Sequence, residues 1–221
     1  MASSPPTPPI DLAIKRAPRQ KRAVETYERI LDVSTRLLNE VGIERISTNM
    51  IAAEAGIKVP TLYRYFPNKY AVLMALGDRL MTRQNAVIEE WLARADGDMS
   101  PAALIDDIDF LINGTIAVTR ADPGALTISL ALRAVPALQN VRLTSHRAMA
   151  DLITDRIHDK LPPSVPRDDL WKRVRISVEL SYAATEMALE EPMVPADLVV
   201  AATSQQIKTY WQNTLDDWTK Q

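Results

Sequence analysis

The 221-residue chain has no cysteine, 6 glycines and aromatic side chains at only 5% of its positions. The absence of cysteine excludes a disulfide scaffold, a Cys-ligated zinc or iron-sulfur centre and a thiol nucleophile, and is compatible with a reducing cytoplasm. No apolar run approaches the roughly 18 to 20 residues of a membrane span. The opening Met1-Ala2-Ser3-Ser4-Pro5-Pro6 lacks the basic-then-apolar order of a secretory signal. Strand signals are missing as well: there is no sustained period-two alternation and no Asn-Gly or Asp-Gly hairpin flanked by alternating segments. No glycine-rich phosphate loop or nucleophile signature is present. His146 and His158 stand twelve residues apart with no other ligand types clustered around them, so no metal, cofactor or enzymatic activity is expected.

What is present is a globular composition, 47% hydrophobic, and a charge that is unevenly spread. The total of 26 Lys plus Arg against 28 Asp plus Glu gives a net -2. Residues 1–70 carry 11 basic and 7 acidic side chains, whereas 71–221 carry 15 and 21. Lys15-Arg16-Ala17-Pro18-Arg19-Gln20-Lys21-Arg22 places five cations in eight residues after a Pro-rich tract, and 1–20 reads as a flexible basic arm.

Helical spacing recurs through the rest of the chain, so the fold is expected to be all-α. One stripe, Ile30, Ser34, Leu37 and Val41, ends at Gly42. A second starts near Asn68 and runs through Leu73, Leu76, Leu80 and Trp91, ending before Gly97. Ser100-Pro101 has the form of an N-cap followed by a first-turn proline, opening a third stripe that continues to Val118. After Asp122-Pro123-Gly124 comes an apolar segment, 125–135, expected to be a buried helix. Further helices are expected over about 138–160, 167–190 and 196–218, separated by prolines. Gly77 and Gly114 fall inside helical patterns and mark either close packing or a bend.

Between Gly42 and Tyr70 the units are short: an N-cap at Ser47-Thr48, a helix Asn49 to Ala55, a turn at Gly56-Ile57 and a second helix from about Val59 to Tyr65. This is helix-turn-helix spacing. Ile51, Ala52 and Ala55 can face inward, and Leu62 and Phe66 pin the second helix to the core. Val59, Pro60, Thr61, Tyr63 and Tyr65 are left for an outer surface, with core packing the alternative for the two tyrosines. The second helix of such a unit can enter a major groove. A cation at its start, Lys58, opposes the helix dipole, a penalty that a nearby DNA phosphate would offset.

The run Ile30-Leu31-Asp32-Val33-Ser34-Thr35-Arg36-Leu37-Leu38, then Ile51-Ala52-Ala53-Glu54-Ala55-Gly56, then Thr61-Leu62-Tyr63-Arg64-Tyr65-Phe66-Pro67-Asn68-Lys69, resembles the amino-terminal domain of the TetR family of bacterial transcription regulators. Its pieces occur in the family's order and spacing over about 45 residues. Downstream, only the number and order of expected helices match. The resemblance implies a DNA-binding domain at 21–68 and an effector-binding and dimerisation domain at 69–221. It also implies a cytoplasmic homodimer without enzymatic activity or a membrane partner, bound to near-palindromic double-stranded operator DNA. It further implies a repressor released by a small-molecule effector, with a protein partner in place of the small molecule as the alternative. By the same resemblance Thr48, Tyr63 and Lys69 hold phosphates, while Val59, Pro60, Thr61 and Tyr65 lie in or beside the groove. Asn49, Lys58 and Pro60 depart from the family's usual residues, and with Val59 and Pro60 unable to donate hydrogen bonds, readout is expected to lean on thymine methyls and groove shape. The basic arm is either a linker or an auxiliary DNA contact.

In the downstream region, Trp91, Phe110, Met149 and Tyr182 are candidates to line an apolar effector cavity, each with core packing as the alternative. Arg133, alone among apolar neighbours, has two readings: pairing with an internal carboxylate or solvent, or recognition of an acidic effector. Ser177, Ser181, Ala184 and Ala188 form a stripe of small residues that permits close helix approach. With Ile207, Trp211 and Trp218 on the last helix they are expected to form a two-fold dimer interface, or the same faces pack within the chain.

Overall fold

A computed structural model describes residues 20–94 and 100–220. The basic arm expected at 1–20 lies outside these residues apart from Gln20, as does Gly97. The described residues contain α1 (Lys21–Arg45), α2 (Thr48–Glu54), α3 (Val59–Leu62), α4 (Lys69–Arg94), α5 (Pro101–Asp106), α6 (Ile108–Arg120), α7 (Ala125–Ala134), α8 (Gln139–Ile157), α9 (Arg167–Glu190) and α10 (Ala196–Thr219), with no strand among them. The chain is all-α. Among the described residues no helix is long and apolar enough to cross a membrane.

Two boundaries differ from the sequence expectation for local reasons. The stripe from Ser100 to Val118 is two helices, because Asp107 leaves helical geometry (φ -94°, ψ 16°) and its carboxylate accepts from Arg94 Nε at 2.8 Å. The recognition segment, expected to run from Val59 to Tyr65, is a single turn ending at Leu62. Ser100 caps α5 as expected, its Oγ accepting from Ala103 N at 3.2 Å.

The helices form two compact units. The first comprises the described residues up to Arg79 together with Pro123–Val141. Its core is built on Ile30, Leu38, Ile51, Leu62, Phe66 and Leu76, each at most 1% exposed. The Arg79 guanidinium ties the start of α4 to α1, donating to Asp32 Oδ1 at 2.7 Å and Thr35 Oγ1 at 3.0 Å. Gly124 seats the start of α7 on the same stretch of α1: a Cβ there would stand 2.8 Å from Thr35 Cγ2 and 2.9 Å from its carbonyl oxygen. Gly77 is likewise a point of close packing rather than a bend, against Leu132.

The second unit comprises Leu80–Asp122 and the chain from Arg142 onward. In it α6, α9 and α10 pack on one another, and Gly114 makes room for Val87, whose Cγ1 would lie 2.6 Å from an added Cβ. Between α8 and α9 lies a half-buried polar cluster. His146 is fully buried, its ring stacked on Tyr182 with centroids 4.0 Å apart and its Nδ1 3.2 Å from Glu179 Oε2. The same carboxylate accepts from Arg142 and Arg175.

Burial holds the His146 imidazole below its ordinary pKa, outweighing the pull of Glu179. The neutral ring is therefore the native form. As pH falls through the unfolded value of about 6.5, the unfolded chain takes up a proton that the folded chain does not, so stability present above that pH is lost on acidification. Denaturant unfolding at pH 7.5 and 5.5 is expected to show this loss, diminished in His146→Gln; an identical loss in both proteins would contradict the assignment.

Candidate nucleic-acid interface and internal cavity

The helix-turn-helix is assembled by local chemistry. Ser47 Oγ accepts from Met50 N at 3.3 Å and starts α2. Gly56, at φ 62°, ends it: Gly56 N donates to Ala53 O at 3.1 Å and Ile57 N to Ala52 O at 3.0 Å, a Schellman closure that a residue with a side chain would strain. α3 then opens at Val59 and Pro60 with no side-chain cap from Lys58. Leu62 and Phe66 are fully buried and hold this short turn to the core.

Of the sequence-expected residues, Asn49, Lys58, Pro60 and Tyr63 are exposed, Thr48, Val59, Thr61 and Lys69 are half-buried, and Tyr65 is buried. Thr48 Oγ1 and Tyr63 OH lie 3.2 Å apart, so α2 and α3 bring together two hydroxyls from residues fifteen apart in sequence. Tyr63 is 42% exposed. The expectation that Tyr65 faces outward is corrected. Because α3 ends at Leu62, the chain tightens, Tyr65 N donating to Leu62 O at 2.9 Å, and the ring packs edge-on to Tyr27 with centroids 6.2 Å apart. Arg64 is exposed beside Tyr63 and was not singled out in the sequence; as a lone cation after a patterned turn it carried no spacing signal. Lys69 is already engaged: its Nζ donates to Ile43 O at 3.0 Å and Glu44 O at 3.3 Å, near the carboxyl end of α1.

The second unit contains a partly open cavity of about 60 Å³. Its walls come from α5, α6, α8, α9 and α10, together with Trp91 of α4. Of the five effector candidates only Trp91 lines it. Met149 and Tyr182 are buried elsewhere, the latter on His146, where burial also raises its phenol pKa. Phe110 lies under the Arg94 guanidinium, 4.1 Å from its ring centroid. Arg133 belongs to the first unit and takes no part in the cavity wall.

The expected dimer-interface residues are also corrected. Ser181, Ala184, Ile207, Trp211 and Trp218 are buried within the single chain, and Ser177 and Ala188 are half-buried. The small side chains of α9 bring α10 close, Trp211 Nε1 donating to Ser177 Oγ at 2.9 Å, and leave the space that becomes the cavity. Its aliphatic walls, such as Leu104, Ile108, Ile153 and Val178, sit at ordinary core spacing. Nothing in the sequence separates them from packing residues.

Residues 30–76 match the profile of bacterial regulatory proteins, tetR family. Over 209 residues, 90% of this chain and 93% of the relative, the chain is 29% identical to the HTH-type transcriptional regulator EthR of Mycolicibacterium smegmatis. A 58-residue stretch is 40% identical to the class D tetracycline repressor protein of Escherichia coli, covering 26% of this chain and 27% of that one. Among solved structures, a TetR-family transcriptional regulator from Streptomyces coelicolor superposes with a TM-score of 0.63 at 22% identity, over 85% of this chain and 98% of its own. The multidrug binding protein EbrR, complexed with imidazole, gives 0.65 at 18% identity over 83% and 93%. These two likenesses concern the fold.

Because Lys69 satisfies two main-chain carbonyls, Lys69→Met is expected to cost about 1 kcal/mol of stability, read from denaturant unfolding. An unchanged midpoint would show that these hydrogen bonds contribute nothing.

Proposed function

We propose that the chain is a DNA-binding transcription regulator of the TetR family, whose profile residues 30–76 match, and that it acts as a homodimeric repressor, released from near-palindromic operator DNA by a small molecule. The observation that carries the DNA side is the pairing of Thr48 Oγ1 with Tyr63 OH at 3.2 Å beside an exposed stretch of Lys58, Pro60, Tyr63 and Arg64. In this pair one hydroxyl donates to the other, which leaves the second proton for a phosphate oxygen, while Lys58 and Arg64 add charge attraction along the backbone. Pro60 and the half-buried Val59 and Thr61 are suited to apolar contact with thymine methyls, and Asn49 to an adenine edge. Lys69, held against the end of α1, supports the head and adds positive charge to it.

The cavity supports a small molecule over a protein partner as the effector. Coupling of about 1 to 3 kcal/mol between effector and DNA would weaken DNA affinity roughly 5- to 150-fold. α4 contributes to both units and is the natural carrier of that coupling.

For the dimer, the stripe of small residues is replaced by the adjacent face of α9, about 100° around the helix, where Ile176, Leu180, Ala183 and Met187 are exposed at i, i+4, i+7 and i+11. Leu198 and Ala201 of α10 are exposed as well. Three large apolar side chains on one helix face have no intrachain role that accounts for their exposure, and a second copy would cover them. The two recognition turns are then expected about 34 to 36 Å apart, or at a multiple of it.

Leu180→Glu is expected to convert a dimer into a monomer by sedimentation; a dimer that persists would exclude this face. Binding to duplexes selected from a random pool should weaken steeply with salt. Lys58→Ala should reduce the slope of log affinity against log salt by about 1, the share of a single neutralised phosphate. An unchanged slope would remove Lys58 from the interface.

A further inference from the structure

We infer that the cavity of the second unit seats a bare hydrocarbon end, the terminal methyl and methylene of an unbranched alkyl chain, held by shape and burial without a hydrogen bond or a charge. The inference rests on the reading of this unit as effector-binding and names the part of the effector that the cavity takes.

The wall has the chemistry for such an end. It includes Leu104, Ile108, Leu111, Ile153, Val178 and Ile207, with no Asp, Glu, Lys, Arg or His among the lining residues, and the surface turned to the space is almost entirely apolar. The two serines on the wall do not alter this. Ser177 Oγ accepts from Trp211 Nε1 at 2.9 Å and donates to Arg173 O at 3.2 Å, and Ser181 Oγ donates to Ser177 O at 3.0 Å. Both hydroxyl protons therefore stay within α9. A carboxylate or ammonium moved into the space would lose hydration and meet no opposite charge, so an acidic effector of the kind Arg133 suggested does not enter by its charged end. Ordered water needs several polar partners, and this wall offers too few.

Size narrows the occupant further. A space of about 60 Å³, filled at the interior packing density of about 0.74, takes about two or three carbon atoms. It is well below the roughly 150 Å³ of an apolar cavity that holds benzene. A ring is too wide for it, whereas a chain end fits, and because the cavity is partly open the rest of a longer molecule can remain outside. The space itself comes from α9: the Ser181 hydroxyl bonds back to its own helix, and the width of a larger side chain is left open beside it. Atoms that line such a gap lose dispersion contacts, which an aliphatic occupant restores.

The test uses three probes on the full chain: ethane, which matches the inferred end in size, methylammonium, which has the same shape with a charge, and benzene. Binding is followed by NMR of the isoleucine methyl groups. Ethane under pressure is expected to shift the Ile108, Ile153 and Ile207 methyls saturably and to leave Ile30 and Ile51 of the first unit unmoved, while methylammonium chloride at equal concentration moves none of them. Ser181→Leu, which fills the space, should abolish the ethane response, and Ile108→Ala, which widens it, should bind benzene at least about tenfold more tightly than the wild type does. No ethane response, methylammonium shifts equal to those of ethane, ethane shifts spread over both units, or a response unchanged in either folded variant would overturn the inference. Duplex binding by the same preparation without any probe reports separately on the regulator: if it persists while ethane fails, only the occupant falls, and if it fails while ethane binds, the occupant stands and the regulator falls.

Discussion

The reading head depends on one constraint: a single helical turn must be held in place by residues that are not part of it. α3 has four residues and no side-chain cap, far short of the roughly 12 to 15 residues an isolated helix needs to be even marginally stable. Apart from its own buried Leu62, its geometry is imposed from outside by the left-handed Gly56, by the buried Phe66, and by Tyr27, whose ring stacks on Phe66 with centroids 5.1 Å apart. With those anchors fixed, Tyr63 and Arg64 have nowhere to go but outward, and Thr48 at the start of α2 is brought to the Tyr63 hydroxyl. The surface chemistry is thus a consequence of the core beneath it.

This dependence explains what was legible in the sequence. The head is written in residues whose roles are conformational: a Ser cap, a glycine at positive φ, and two large apolar side chains four apart. Such residues leave a readable pattern, and the helix-turn-helix emerged with its turn and its anchors in place. Tyr65 was misjudged because its orientation depends on where α3 stops, and helix ends are decided by local hydrogen bonding that periodicity does not report. The second unit was legible as helices but not as a site. Ile153 and Ile157, or Val174 and Val178, have the i, i+4 spacing of any packed helix face. Whether the space between such faces is filled or left open depends on how several helices meet.

The two faces of α9 show how a sequence pattern can point to the right helix and the wrong side. The small residues at Ser177 and Ser181 do allow close approach, but to α10 and the cavity within the same chain. The larger Ile176, Leu180 and Met187 were overlooked because apolar side chains on a helix suggest a core, and their exposure becomes visible only once the core is complete without them. One helix then carries the cavity wall on one face and, in the proposed dimer, the contact with a second copy on the adjacent face. The charge distribution fits the same division of labour, with +4 on residues 1–70 and -6 on the remainder.

The central claim is that Thr48 and Tyr63 act together on the DNA backbone. It is tested most directly by methylphosphonate substitution, one position at a time, along a duplex selected for tight binding. One position per half-site should weaken binding of the wild-type chain and cause little further loss in Tyr63→Phe, because the neutralised phosphate and the missing hydroxyl remove the same interaction. If the two losses multiply independently at every position, Tyr63 does not grip the backbone and the account of the reading head is wrong.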